Sequence, residues 1–165
     1  EKRQVLTSTL SLSQRLATIF MNDQAKQIKV IQELEGLEWG EPTFDSGVVK
    51  KCHRLYRLPL NDFTREDLRL MIGQQIGLAH LVPLALELLA VEPLISGECY
   101  EGDLLAAVLR ADSRFWSGKS ELRSLASWLA LTVLSDSHGK CLDESQLQAH
   151  EVFLRAEYFT QHGRA

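Results

Sequence analysis

The sequence predicts an all-α fold: a compact single-domain bundle of about six to nine helices. Three observations carry this. No segment sustains the two-residue alternation of a half-buried strand. Apolar residues recur instead at helical spacing, behind Ser, Thr or Asp residues suited to helix starts. The 165 residues are 45% hydrophobic and 24% charged, enough apolar material for one core and too much for a disordered chain. Residues 1–32 read as an N-terminal helical extension and 33–165 as the domain proper. Met21 offers a natural start, which would place residues 1–20 upstream of it.

The helices follow in order. Ser11 or Ser13 can cap a first helix carrying Leu12, Leu16, Ile19 and Phe20. A second places Ile28, Ile31 and Leu34 on one face and ends at Gly36. Residues 36–47 (GLEWGEPTFDSG) are loop, punctuated by glycines and Pro42. Trp39 and Phe44 are expected to tuck back onto the helices, and an exposed anchor for a partner is the alternative. Val48, Cys52, Leu55 and Tyr56 then share one helical face, with Lys50, Lys51, Arg54 and Arg57 opposite. That short basic face lies between acidic blocks, so it reads as solvated and ion-paired rather than as a nucleic-acid patch.

Phe63–Leu89 (FTREDLRLMIGQQIGLAHLVPLALELL) is the most apolar run, with no formal charge between Arg69 and Glu87. Thr64 is a good N-cap, and Glu66 and Asp67 suit the first turn. Leu68, Met71 and Ile72 form the buried stripe. Gly73 is expected to admit a close neighbouring helix, and Gly77 to end the helix in a left-handed conformation. Residues 78–81 then read as a turn. Pro83 would open the next helix, with Leu84, Leu88 and Leu89 facing the core and His80 a hydrogen-bonded core residue. Pro93 and Gly97 bracket a loop, after which Asp103 can cap a helix to Arg110. Asp112 and Ser113 start a turn holding Phe115 and Trp116. Ser120 begins a helix with a stripe of Leu122, Leu125, Ala126, Leu129 and Val133, ended near His138-Gly139. Asp143 starts the last helix, through Leu147, Phe153, Leu154 and Tyr158.

Net charge is −4, unevenly spread. Residues 30–49 hold five acids and no base, as do residues 70–109. Such blocks repel nucleic acid and favour a basic partner, although acidic loops also serve solubility. The cysteines, Cys52, Cys99 and Cys141, are odd in number and widely spaced, which suits a reducing cytosol better than a disulfide framework. No signal core interrupts this reading, and polar residues within the apolar run argue against a membrane span.

Catalytic patterns are weak. Cys52 and His53 are adjacent, and neighbours on a helix diverge by about 100°. Glu98, Glu101 and Asp103 could make a carboxylate cluster, but capping and surface roles explain them more simply. There is no phosphate-binding glycine loop and no serine elbow. The sequence reads as a binding protein with no catalytic residue, no metal, no cofactor, no small-molecule substrate, and no nucleic-acid or membrane partner.

Three ordered blocks carry a family resemblance: LEWGEP (37–42), CHRLYRLPLNDFTREDLRLMIGQQIGLAHLVPLALELL (52–89) and GECYEGDLLAAVLR (97–110). Together, over about residues 33–116, they resemble the immunity proteins of bacterial contact-dependent growth inhibition (CDI) systems. The resemblance implies a cytosolic protein that binds and neutralises the C-terminal toxin domain of a cell-surface effector, many such toxins being nucleases. It implies a shared scaffold, not a contact map. The candidate toxin-facing residues come instead from the two acidic loops: Glu38, Trp39, Glu41, Asp45, Glu98, Tyr100, Glu101 and Asp103. A helical adaptor for some other partner and a hydrolase built on the acidic cluster are the competing classes.

Overall fold

The computed structural model describes residues 29–135, Leu142 and residues 144–162, which form seven helices and one 3-10 turn. These are α1 (Ile31–Glu35), α2 (Gly47–Tyr56), the turn Leu60–Asp62, α3 (Arg65–Gly73), α4 (Leu78–Val91), α5 (Asp103–Leu109), α6 (Ser120–Ser135) and α7 (Glu144–His162). Among the described residues there is no strand, only an isolated bridge between Val30 and Pro59. The fold is therefore all-α. No helix in this part is long and apolar enough to cross a membrane. The expected helix over Ser11–Phe20, the His138-Gly139 stop, Cys141 and the Asp143 start lie outside the described residues.

A short helix, α5, is the most enclosed. All seven residues of α5, Asp103–Leu109, are buried. It packs most extensively against α3, and also against α4, α6 and α7. Its sequence, DLLAAVL, is apolar all round after Asp103, as a helix covered on every side requires. α3 supplies Leu68, Met71 and Ile72 to this core, and α4 supplies Leu81, Val82, Ala85, Leu86 and Leu89. Leu125, Ala126, Leu129, Ala130 and Val133 of α6 close it from another side, nearly the stripe the sequence predicts. Phe115, Trp116 and Phe153 stack edge to face at its end.

Local chemistry sets the boundaries. At Thr64 a full capping box forms: its hydroxyl accepts from the Asp67 amide, and the Asp67 carboxylate accepts from the Thr64 amide at 3.1 Å. Lys51 of α2 also pairs with Asp67, at 3.3 Å. Burial opposes charge on Asp67, but the Thr64 bonds and Lys51 outweigh it and hold the carboxyl below its usual range. α1 ends at Gly36, in the left-handed region, as predicted. The Tyr56 hydroxyl donates to Glu35 at 2.7 Å, tying α1 to α2. Burial, then this bond, pushes the Tyr56 phenol up to about 12.

The Gly73–Pro83 segment differs from expectation. Gly73 closes α3, and a Cβ there would meet nothing within 4 Å, so it admits no close neighbour. The close approach is at Gly77, where a Cβ would lie 2.9 Å from Ile31 Cδ1. Gly77 is left-handed, with φ 65°, but it starts α4 rather than ending α3. α4 therefore begins at Leu78, and Pro83 sits inside it. Pro83 has no N–H to give the Ala79 carbonyl, and Ala79 lies on the exposed face of the helix. Starting the helix early rotates its inner face. Leu84 is half-buried, Leu88 exposed, and His80 half-buried rather than part of the core. Gln75 adopts φ 61° without being glycine. Its side chain compensates by gripping the chain after α5, accepting from the Asp112 amide at 2.7 Å and donating to the Arg110 carbonyl at 3.3 Å.

His150 of α7 is buried, and its Nδ1 donates to the Gln146 carbonyl at 2.8 Å. Nε2 is buried with no partner, so the neutral ring fits and the charged ring does not. Burial, with Arg110 nearby, depresses its pKa below the ordinary value of about 6.5. The unfolded chain then binds the extra proton more readily. This contribution to stability is present above pH ~6.5 and is lost as pH falls below it.

Two outcomes follow from these sites. Gly77→Ala should destabilise the protein by about 1–3 kcal/mol, through backbone strain and the Ile31 clash. Gly73→Ala should be neutral or stabilising by up to about 1 kcal/mol. Urea unfolding of both variants tests the pair, and equal losses would refute the assignment. Chemical unfolding between pH 7.5 and 5 should also show stability falling with acid, and flattening of that slope in His150→Leu would identify the group responsible.

Candidate functional site

The two acidic loops are built differently. In the first, Trp39 folds back: its ring stacks on Tyr56 at 4.1 Å and meets His53 edge-on at 5.0 Å. The Trp39 carbonyl accepts from Arg57 at 2.7 Å. Phe44, expected to tuck back too, is instead 72% exposed. Glu38, Glu41 and Asp45 are exposed, and Asp45 pairs with Lys50. The basic face of α2 is thus partly spent on its own acidic neighbours, as its position predicts.

The second loop, residues 92–102, is organised by one buried carboxylate. Asp103 is 2% exposed. It was expected to cap α5, but Gly102 holds the cap position and Asp103 is the first helical residue. Its carboxylate reaches backward along the chain and accepts from the amides of Gly97 (2.5 Å), Cys99 (3.0 Å) and Tyr100 (3.4 Å). Arg69 of α3 approaches it at 3.6 Å and grips Glu66 with two bonds, of 2.5 and 2.6 Å. Those bonds to Glu66 raise the Arg69 pKa further above its already high value, so the guanidinium stays charged. The loop is pinned twice more. Gly102 N–H donates to the Leu94 carbonyl at 2.9 Å, and the Gln146 side chain of α7 donates to the Glu101 carbonyl at 2.6 Å.

Asp103 is therefore interior, and it positions the loop rather than lining its surface. What the loop displays is Glu98, Cys99, Tyr100 and Glu101, all exposed. Two clefts flank it. One of about 490 Å³ lies between the loop and α6, lined by Arg65, Glu92, Leu94, Glu101, Thr132 and Val133 among others. The other, of about 500 Å³, is lined by Phe63, Arg65, Glu66, Leu88 and Glu98 among others. The structure brings Glu98, Tyr100, Glu101 and Asp103 together in one loop, and Glu38, Trp39, Glu41 and Asp45 in the other. No hydrogen bond or ion pair among the described residues joins the two loops.

Glu66, Cys99 and Asp103 place one ligand-type atom each within 4.8 Å of one another. Arg69 is the cation of this cluster, and the bonds above use the carboxylates for loop geometry. Cys52 is buried, and burial pushes its thiol up despite Lys51 beside it, which makes it a poor nucleophile. The arrangement is a surface on which hydrogen-bonded loops display exposed carboxylates and apolar side chains.

Residues 33–125 match the family described as CDI immunity proteins. The chain belongs to that family. The match spans α2 to α5 and the first turns of α6, including Asp103, Arg69 and the capping box. Searches of curated proteins and of solved structures give no match. As a CDI immunity protein the chain has a toxin protein as its partner. Sequence reasoning missed the α6 side of the cleft: Trp128, 41% exposed, and Leu131, 54% exposed. The signal was present, because both fall outside the apolar stripe of α6 at positions where a surface helix is normally polar.

Removing the Asp103 carboxylate should loosen the loop. Asp103→Ala leaves three amides without their acceptor and takes from Arg69 one of its two carboxylates, and should cost about 3 kcal/mol. Gly97→Ala should destabilise as well, since its Cβ would fall 3.0–3.1 Å from Arg69, Asp103 and Glu66. Amide hydrogen exchange of residues 97–101 should accelerate in both variants, and unchanged protection would refute the clamp.

Proposed function

We propose that this CDI immunity protein acts in the cytoplasm as a stoichiometric, non-enzymatic inhibitor of a nuclease toxin domain, the C-terminal part of a growth-inhibition effector. The observation that carries the reading is the family match over residues 33–125. The surface supports it. Glu38, Glu41, Glu98 and Glu101 are exposed and have no ion pair among the described residues. Carboxylates so displayed attract a basic protein and speed its encounter. They can also occupy positions meant for phosphate oxygens, which suits a partner that binds nucleic acid.

The toxin-facing surface draws on Glu38, Glu41, Asp45, Glu98, Tyr100 and Glu101, with Trp39 holding the first loop in shape and Asp103 the second. Pinned loops lose little freedom on binding, so more of the contact energy appears as affinity. Co-expression with the C-terminal domain of the adjacently encoded effector tests the proposal. Growth should be restored and the two proteins should co-purify one to one. Growth arrest despite full expression of this protein would overturn it. Degradation of RNA or DNA by the toxin domain alone tests the nuclease assignment separately.

A further inference from the structure

The cleft beside the 92–102 loop has one wall inside the family match and one outside it. Arg65, Glu92, Leu94 and Glu101 lie within residues 33–125, whereas Thr132 and Val133 of α6 lie beyond. Its volume of about 490 Å³ is in the range of clefts that accept a side chain or small ligand. Its chemistry is mixed. Leu94 and Val133 offer apolar surface, while Glu92 and Glu101 are exposed carboxylates with no ion pair among the described residues and outnumber the one cation of the lining, Arg65. A long cationic side chain fits both halves, with its methylenes on the apolar wall and its charge at the acids. A purely apolar occupant would strand the carboxylates, and an anion would face two carboxylates against the single Arg65 guanidinium.

The helix that forms the far wall also carries an exposed aromatic. Trp128 is one helical turn before Thr132 on α6, and the Thr132 hydroxyl donates to the Trp128 carbonyl at 2.8 Å. Residues four apart share a helix face, which puts the exposed Trp128 on the same side of α6 as the cleft-lining Thr132. Exposed Trp next to a charged cleft is the composition of an interface centre.

We infer that this cleft is the specificity-determining socket for the toxin domain, receiving a lysine or arginine side chain of the toxin while Trp128 packs against an apolar spot next to it. The inference rests on the immunity reading and narrows it to one of the two acidic loops. The socket joins a scaffold wall from the family-matched region to a wall from the unmatched part of α6. Partner choice can therefore change at α6 without disturbing the Asp103 clamp.

The test measures binding of the full chain to the C-terminal domain of the adjacently encoded effector by titration calorimetry, with circular dichroism to verify folding. Glu92→Lys with Glu101→Lys should weaken binding about 100-fold. Thr132→Tyr, which fills the socket without altering charge, should weaken it about tenfold or more. Glu121→Lys with Glu151→Lys, exposed on α6 and α7 away from both loops and the cleft, should change it less than about threefold. Cleft variants that bind like the wild type overturn the inference and leave the immunity reading standing, as does a larger loss in the Glu121/Glu151 variant. A wild-type chain that fails to bind overturns both. Should Thr132→Tyr fail to fold, the Glu92/Glu101 pair on the exposed surface still decides the matter.

Discussion

One buried carboxylate, that of Asp103, connects the core of this protein to its surface. It begins the most enclosed helix, reaches Arg69 on α3, and collects three amides of the preceding loop. A charge so buried is stable only if its partners are complete. Here the partners come from two separate elements, so the carboxylate is satisfied only when α3, α5 and the loop are all in place. Arg69 in turn is held by Glu66, itself on the first turn of the helix whose capping box fixes where α3 begins. The chain of constraint runs from Thr64 to Tyr100 without leaving the scaffold.

That constraint explains how a small all-α domain can display a loop with defined shape. Loops on helical bundles carry few hydrogen bonds of their own. The 92–102 loop has bonds at Gly97, Cys99, Tyr100, Glu101 and Gly102. Its backbone is fixed, and its side chains Glu98, Tyr100 and Glu101 face solvent. The first loop uses another device, aromatic stacking of Trp39 on Tyr56 with Arg57 on the Trp39 carbonyl. Acidic charge is cheap to place on such loops because both are exposed, and it is useful where the partner is basic.

Much of this was legible in the residues. The fold class, the Thr64 cap, the Gly36 stop, the α3 and α6 stripes and the family all follow from local pattern or motif. The misreadings cluster between Gly73 and Pro83. Proline favours a first turn, and that preference argued for a helix starting near residue 83. Gly77 decided otherwise, because Ile31 packs against it and its left-handed backbone lets α4 begin at once. Asp103 was misassigned for a related reason. Asp near a helix start is usually a cap, and only the path of the preceding loop shows that its carboxylate turns back to hold that loop.

The sequence by itself determined the helices and the family, because helical periodicity, caps and motifs are properties of neighbouring residues. It also placed two acidic blocks, because charge can be counted. Only the tertiary structure decided which acids are surface and which are interior, since burial depends on what distant segments bring alongside. Glu101 and Asp103 are two residues apart, yet one is exposed and the other is 2% exposed. The cleft that joins Arg65 and Glu92 to Thr132 and Val133 exists only because α6 packs back toward the loop, a meeting that no local pattern encodes.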